Sequence, residues 1–161
     1  MAKVRSSTRN DLDARTRERV IGLLNQQLAD TLDLYTQVKQ AHWNVKGPHF
    51  IALHELYDKL AEELEDPVDD LAERVTALGG IARGTARIAA DESRLSELPL
   101  GNLDGLKLTA LLADRYAALA KSTRAAIDSA ADAGDADTAD LFTGVSRGLD
   151  KALWFLEAHL Q

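Results

Sequence analysis

Apolar side chains recur at helical intervals along this chain, and this pattern does most to limit the folds that it can adopt. In the first long segment, Val, Leu, Leu, Tyr and Val occupy positions 20, 24, 28, 35 and 38, with a threonine at position 31 on the same face. Spacings of three and four place side chains on one face of an α-helix, so the segment predicts an amphipathic helix with one buried face. A second stripe follows the helix-breaking pair Gly47 and Pro48 and ends at Gly79 and Gly80. Its apolar positions are 53, 57, 60, 64, 71, 75 and 78.

Pro67 falls inside the second stripe. Proline lacks a backbone N–H and its ring collides with the preceding turn, which costs about 3 kcal/mol inside a helix. We therefore expect the second helix to be kinked at Pro67 or divided in two there.

The remaining sequence completes a bundle of four long helices. Residues 80–104 are rich in Gly, Ser and Asp and predict a long connection, with a short helix at about Thr85 to Ala90. Two more helical stretches follow at roughly 105–133 and 136–160. A total of 3 prolines and an aromatic content of 5% also favour helices over sheets. One long crossover between the second and third helices predicts an all-α, ferritin-like four-helix bundle.

Charge divides the chain into two parts. The formal net charge is −7, which argues against a body that attracts nucleic acid by its overall field. The first ten residues differ, because they contain Lys3, Arg5 and Arg9 but no acid. We therefore predict a flexible basic arm at residues 1–10, as a candidate DNA contact, and a bundle domain at residues 11–161.

Cysteine is absent, which excludes a disulfide framework and thiolate metal ligands. Any metal ion must therefore be held by His, Asp and Glu. No segment approaches the roughly 18 unbroken apolar residues of a membrane span, and the N-terminus lacks the apolar core of a signal peptide. We expect a cytoplasmic protein that does not contact membranes.

Four candidate metal ligands share one face of the second helix. His54 and Asp58 are four residues apart, as are Asp69 and Glu73, and all four fall within an arc of about 100°. His54 and Asp69 nevertheless lie about 22 Å apart along a straight helix. Because metal–ligand bonds are about 2 Å long, the four side chains cannot bind one ion within one chain.

A two-fold axis would bring these ligands together. If two copies of the helix lie antiparallel about an axis near residues 63 and 64, Asp58 faces the partner's Asp69 and His54 faces the partner's Glu73. Every such dimer contains two identical sites. His42, which continues the buried face of the first helix, could complete each site. Imidazoles with carboxylates suit Fe(II), Mn(II) or Zn(II), and the ligands alone do not choose among them.

Each of these residues also has a simpler interpretation. Asp69 and Glu73 are typical of a solvated helix face, and Arg74 is a candidate for charge pairs with Asp70 or Glu73. A histidine on an apolar face, such as His42, is often a core residue with satisfied hydrogen bonds. Such independent interpretations do not predict the mirror relation, which favours a shared site.

Three segments carry a family signature. The segment KQAHWNVKGPHFIALHELYDKL is followed by DDLAERVTALGG and later by DTADLFTGVSRGLDKALWFLEAHL. Together they closely resemble the Dps family, the DNA-binding proteins from starved cells, also called miniferritins. The resemblance extends over about residues 20–160. It implies a ferritin-like fold, a short helix in the long crossover and a hollow shell of twelve subunits.

The resemblance also implies a function. Members of this family oxidise Fe(II) at a dinuclear centre across the two-fold interface, usually with hydrogen peroxide in preference to dioxygen, and store ferric mineral inside the shell. Consumption of peroxide and Fe(II) in a closed site protects DNA from hydroxyl radical. The ligands that the resemblance implies are His42, His54 and Asp58, with the partner's Asp69 and the partner's Glu73.

Further residues gain candidate roles from the resemblance. Trp43 lies near the iron centre in this family and can donate an electron to a radical, although a packed interface aromatic is an equal alternative. The acids Asp135, Asp137 and Asp140 fall where the family places a three-fold pore, in which they would concentrate Fe(II). A helix N-cap or first-turn acid is the competing interpretation of each.

DNA compaction is the second hypothesis. Binding in the family generally depends on mobile Lys-rich tails, whereas the arm here is short and the C-terminus has no basic tail. Twelve copies of the arm could still bind DNA multivalently, which would associate the protein with the nucleoid.

Overall fold

The computed structural model describes residues 6–99, 101 and 104–161, most of which are helical. The helices are α1 (Ala14–Asn44), α2 (Phe50–Ala77), α3 (Ala86–Glu92), α4 (Gly105–Asp132) and α5 (Ala136–Glu157). The prediction of an all-α bundle with a short helix in its crossover is therefore confirmed. None of the helices in the described residues has the length and apolar character that a membrane span requires.

Short polar residues and glycines set the helix ends. The carboxylate of Asp13 caps α1, because it accepts hydrogen bonds of 2.8 and 3.0 Å from the backbone N–H groups of Arg15 and Thr16. Gly79 ends α2 with a φ of 82°, and Gly134 turns the chain between α4 and α5 with a φ of 87°. Glycine adopts these left-handed conformations without a Cβ clash. The helix stop predicted at Gly79 is confirmed, and Gly134 lies between the two helical stretches predicted at roughly 105–133 and 136–160.

Two apolar clusters fill the interior of the bundle. One joins the second half of α1 to the first half of α2, and it includes the fully buried residues Val38, Leu53 and Tyr57. The other joins the first half of α1 to the second half of α2 and includes Leu24 and Val75. Complete burial of each such side chain contributes roughly 1.5–3 kcal/mol. The stripes seen in the sequence therefore pack as predicted, and they place α1 alongside α2.

Pro67 lies within α2, which continues as one helix from Phe50 to Ala77. The prediction that this proline could divide the helix is wrong. Leu64 and Leu71 on either side of Pro67 are buried in different apolar clusters, so both halves of α2 are held by the core. Their burial offsets the roughly 3 kcal/mol cost of proline in a helix. The half-buried Pro67 ring itself lines a small cavity beside Tyr116.

Buried polar side chains hold the crossover against the bundle. Asp30 is 1% exposed, and it accepts hydrogen bonds from the backbone N–H of Arg94 at 2.8 Å and from the Arg94 guanidinium at 2.5 Å. Arg115 on α4 is also buried and donates to the carbonyl oxygens of Ser96 and Glu97 at 3.2 and 2.7 Å. Buried charges of this kind require partners, and the crossover supplies them.

The described part of the predicted arm contacts the bundle. The backbone N–H of Ser6 donates to the carbonyl oxygen of Gly79 at 3.2 Å, and the Thr8 hydroxyl donates to that of Ala77 at 3.5 Å. Arg9 is exposed. Lys3 and Arg5 lie outside the described residues. Ser6 and Thr8, inside the segment predicted to be the arm, therefore contact the end of α2.

Candidate metal centre

His42 near the end of α1 and His54 near the start of α2 hold each other in place. Nδ1 of His42 lies 2.8 Å from the backbone carbonyl oxygen of His54, and Nδ1 of His54 lies 2.9 Å from that of His42. The two rings stack with their centroids 3.8 Å apart and their planes 21° apart. The turn between α1 and α2 thus brings together the two imidazoles that the sequence predicts as ligands.

The reciprocal hydrogen bonds determine which ring nitrogens can bind a metal ion. A carbonyl oxygen only accepts hydrogen bonds, so Nδ1 carries the proton in both neutral rings. The lone pair of each Nε2 atom is therefore available to a metal ion. Metal-binding histidines in proteins are commonly oriented in this way, by a hydrogen bond from the other ring nitrogen.

Asp58 lies beside the histidine pair. Its Oδ1 atom is 3.7 Å from Nε2 of His42 and 2.6 Å from Nζ of Lys39. The hydrogen bond from Lys39 is the main cause that lowers the pKa of Asp58, and the same bond raises the pKa of Lys39. The carboxylate is therefore ionised and the ammonium group charged.

The distance between Asp58 and His42 fits a shared ion. Two ligand atoms about 2.1 Å from one metal ion lie roughly 3.0–3.6 Å apart at bond angles of 90–120°. The observed 3.7 Å between Oδ1 and Nε2 is close to the upper end of this range. The geometry of these two side chains is therefore compatible with one shared ion after a small adjustment.

Tyr57 fixes the rotation of α2 that turns Asp58 toward the histidines. Its hydroxyl donates to the carbonyl oxygen of Gly105 at 3.2 Å and lies 2.8 Å from the Thr109 hydroxyl. Burial raises the pKa of Tyr57 to about 12, so the phenol stays neutral. Because Tyr57 points into the core, the next residue along the helix points away from it.

Asp69 and Glu73 are exposed on the part of α2 beyond Pro67. Because α2 is unbroken, Asp69 lies about 22 Å from His54. Within the described residues, no group of three or more His, Asp or Glu side chains is arranged to hold a metal ion in one chain. A single chain thus places His42 beside both His54 and Asp58 but leaves Asp69 and Glu73 apart from them.

The bounds of α2 agree with the two-fold relation expected from ligand spacing. The helix runs from Phe50 to Ala77, so its midpoint falls between Glu63 and Leu64. This midpoint is where the spacing of the candidate ligands places the axis. Two antiparallel copies of α2 about that axis would overlap along their whole length, and the unbroken helix keeps the register that a break at Pro67 would have disturbed.

Sequence reasoning did not identify Lys39 as part of the site. Lys39 lies three residues before His42, one helical turn away on the same face of α1. This spacing is the sequence feature by which it could have been identified. Its Nζ atom is also 6.0 Å from the centroid of the Trp43 ring. Trp43 itself is 68% exposed in the single chain, so it is not a core residue of the bundle.

The three acids predicted to line a pore have different surroundings. Asp135 is 2% exposed and caps α5, where its carboxylate accepts from the backbone N–H of Thr138 at 3.0 Å and from Arg74 at 2.8 Å. The side chain of Asp137 is 84% exposed and lies 3.8 Å from Arg74, and Asp140 is exposed. The N-cap interpretation therefore describes Asp135. Arg74 pairs with these acids of α5 and not with its neighbours on α2, in the part of the chain that the structure describes.

Comparison with known proteins agrees with this fold. A family model described as a ferritin-like domain matches residues 21–161. The structure superposes on DpsA14 from Streptomyces coelicolor with a TM-score of 0.94 and 35% identity, covering 100% of this chain and 95% of that chain. For Dps from Mycobacterium smegmatis the TM-score is 0.92 with 31% identity, covering 97% of this chain and 94% of that chain. The fold and its histidine-carboxylate cluster define a protein of the ferritin-like class.

Sequence similarity shows to which family within the ferritin-like class the chain belongs. A DNA protection during starvation protein of Agrobacterium fabrum is 46% identical over 154 residues, which cover 96% of this chain and 95% of the relative. The chain belongs to the Dps family. The resemblance inferred from the sequence segments around His42, Asp69 and Trp154 is confirmed.

Proposed function

We propose that this protein is a ferroxidase and iron-storage protein whose dinuclear site is shared between two subunits. The observation that carries the proposal is the reciprocal pairing of His42 and His54 through Nδ1, together with the 3.7 Å between Nε2 of His42 and Oδ1 of Asp58. Both hydrogen bonds between these two residues use Nδ1, so in a neutral ring the Nε2 lone pair remains available to a metal ion. Imidazole nitrogen next to an ionised carboxylate is a donor set that Fe(II) accepts.

The partner subunit supplies the missing carboxylates in this proposal. Antiparallel pairing of α2 about its midpoint places the partner's Asp69 near Asp58 and the partner's Glu73 near His54. Each two-fold contact then contains two complete sites. The support is the agreement between two independent features, the ligand spacing in the sequence and the bounds of α2 in the structure.

The proposed reaction consumes hydrogen peroxide. Each of two bound Fe(II) ions gives up one electron, and peroxide takes both as its O–O bond breaks. With two protons, two water molecules form. The imidazoles and carboxylates hold the two ions side by side, and the carboxylates stabilise the higher charge of Fe(III). Because both electrons enter one peroxide in a closed site, hydroxyl radical is not released, and DNA is protected.

Storage requires an assembly with an interior. We infer a hollow shell of twelve subunits in the cytoplasm, with ferric product deposited inside. Asp137 and Asp140 are exposed near the N-terminus of α5, and repetition around a three-fold axis would make them an acidic entrance for Fe(II). Asp135 would act indirectly there, since it caps the helix that presents the other two acids.

Stopped-flow oxidation tests the proposal. Fe(II) is added anaerobically to the metal-free protein, followed by one hydrogen peroxide per two iron ions, and ferric absorbance is recorded. We expect fast oxidation by peroxide and slower oxidation by dioxygen in a parallel trace. Rates no higher than those of a protein-free control with both oxidants would contradict the proposed ferroxidase.

DNA binding is the second candidate function. It is favoured by the exposed Arg9 next to a basic N-terminus and by the similarity to the DNA protection during starvation protein of Agrobacterium fabrum. Deletion of residues 1–5 removes Lys3 and Arg5 but keeps the contact between Ser6 and Gly79. We expect this deletion to weaken DNA retardation in gels at low salt and to leave iron oxidation unchanged. Equal retardation by the full and shortened chains would exclude Lys3 and Arg5 as the DNA contact.

A further inference from the structure

The ammonium group of Lys39 is hydrogen-bonded to the Asp58 oxygen that would be a ligand in the proposed iron site. Its Nζ atom lies 2.6 Å from Oδ1 of Asp58, and this same oxygen lies 3.7 Å from Nε2 of His42. The side chains of Lys39 and Asp58 come from different helices, α1 and α2, and are 23% and 44% exposed. The ammonium group therefore lies where a metal ion bound to Asp58 would meet it.

The negative charge of Asp58 explains why an ammonium group is bound to it in the metal-free protein. The two neighbouring imidazoles are both committed to Nδ1–H hydrogen bonds, so in their neutral form they present lone pairs to Asp58. Lys39 supplies the positive charge that this oxygen would otherwise lack. A divalent ion on the same oxygen would lie close to the ammonium group and be repelled by it.

We propose that Lys39 is a positioning residue that competes with Fe(II) for Asp58. It holds the carboxylate beside His42 while the site is empty, and it leaves Oδ1 when the ion binds. This inference rests on the proposed iron site and deepens it, because it makes iron binding at Asp58 an exchange of one cation for another.

The open space beside Lys39 can accommodate its side chain after the ammonium group leaves Asp58. Lys39 lines an open cavity of about 770 Å³ together with Gln40 and Trp43. Its Nζ atom is already 6.0 Å from the centroid of the Trp43 ring, and an aromatic face attracts a cation. The ammonium group can therefore move off Asp58 without entering the apolar core.

Metal binding by the Lys39→Gln variant tests the competition without any turnover. Co(II) is titrated into the assembled, metal-free protein, and its visible absorbance bands are followed. Glutamine cannot supply the competing charge, so we expect Co(II) to bind about fivefold more tightly than to the unaltered protein. Lys151→Gln is the matched control, because it removes the same charge from an exposed position on α5, and it should leave the affinity unchanged.

A second pair of variants separates competition at Asp58 from general charge. If Lys39 acts through Asp58, the fivefold effect of Lys39→Gln should fall below about twofold in an Asp58→Asn background. Equal or weaker Co(II) binding by Lys39→Gln, or an undiminished fivefold gain in the Asp58→Asn background, would overturn the role of Lys39. An unaltered protein that binds no Co(II) would instead overturn the proposed metal site, and the inference with it.

Discussion

Shells that contain both His54→Ala and Asp69→Ala subunits should oxidise Fe(II), although shells of either variant alone should not. In a shared site, His54 and Asp58 come from one subunit and Asp69 and Glu73 from its partner. A dimer of the two variants therefore has one site that lacks both residues and one site that is intact. Each variant alone has the same defect in every site, and loss of a ligand should lower the rate about tenfold or more.

The extent of recovery follows from the symmetry. With random pairing, half of the dimers contain both variants, so about a quarter of all sites should be intact. The measurement is the initial rate of ferric absorbance after peroxide is added to co-expressed, purified shells. This rate should be about a quarter of that of the unaltered protein.

The control uses two variants with defects on the same side of the site. His54→Ala and Asp58→Ala both damage the half that one chain contributes, so their mixed dimers contain no intact site. Co-expression of this pair should give no recovery. Mixed shells of His54→Ala and Asp69→Ala that remain as slow as the separate variants would show that the ligands do not come from two subunits.

Replacement of Arg115 by methionine should lower the free energy of unfolding by about 3 kcal/mol. The guanidinium group is buried and donates to the side-chain oxygen of Gln37 and to three backbone carbonyl oxygens. Those carbonyl groups belong to Ser96, Glu97 and Leu111. Methionine keeps much of the volume but removes the guanidinium donor from the oxygens of Gln37, Ser96 and Glu97, and each unpaired buried group is costly.

Denaturant unfolding and hydrogen exchange would measure this effect. The loss of protection should be concentrated at Ser96 and Glu97 in the crossover, which Arg115 ties to α4. Arg124→Met on the same helix is the matched control, because Arg124 pairs with Asp150 on the surface, where both side chains are about half exposed. The control should lose under about 1 kcal/mol. Equal losses for the two variants would mean that burial of Arg115 is not what stabilises the crossover.

The helices could be predicted closely because their signals are local. The apolar stripes of α1 and α2 depend only on the period of the helix, and Gly79 and Gly134 stop helices because of their own backbone freedom. Pro67 shows where local reasoning fails. The cost of proline is a property of one residue, but the burial of Leu64 and Leu71 that offsets it depends on helices distant in the sequence.

The sequence by itself determined the four-helix class, and it predicted the type of metal ligand and the two-fold relation of His54, Asp58, Asp69 and Glu73. It could do so because a helix has a constant rise, so that residue spacing along α2 is already a distance.

Only the tertiary structure decided which ring nitrogens of His42 and His54 face backbone carbonyl oxygens, that Lys39 pairs with Asp58, and that Asp135 is a buried helix cap. Each of these results depends on contacts between atoms of different helices or on burial by them. The packing of α1 against α2, and of Arg74 against the start of α5, brings these atoms within hydrogen-bonding distance. The period of a single helix carries no information about how different helices pack.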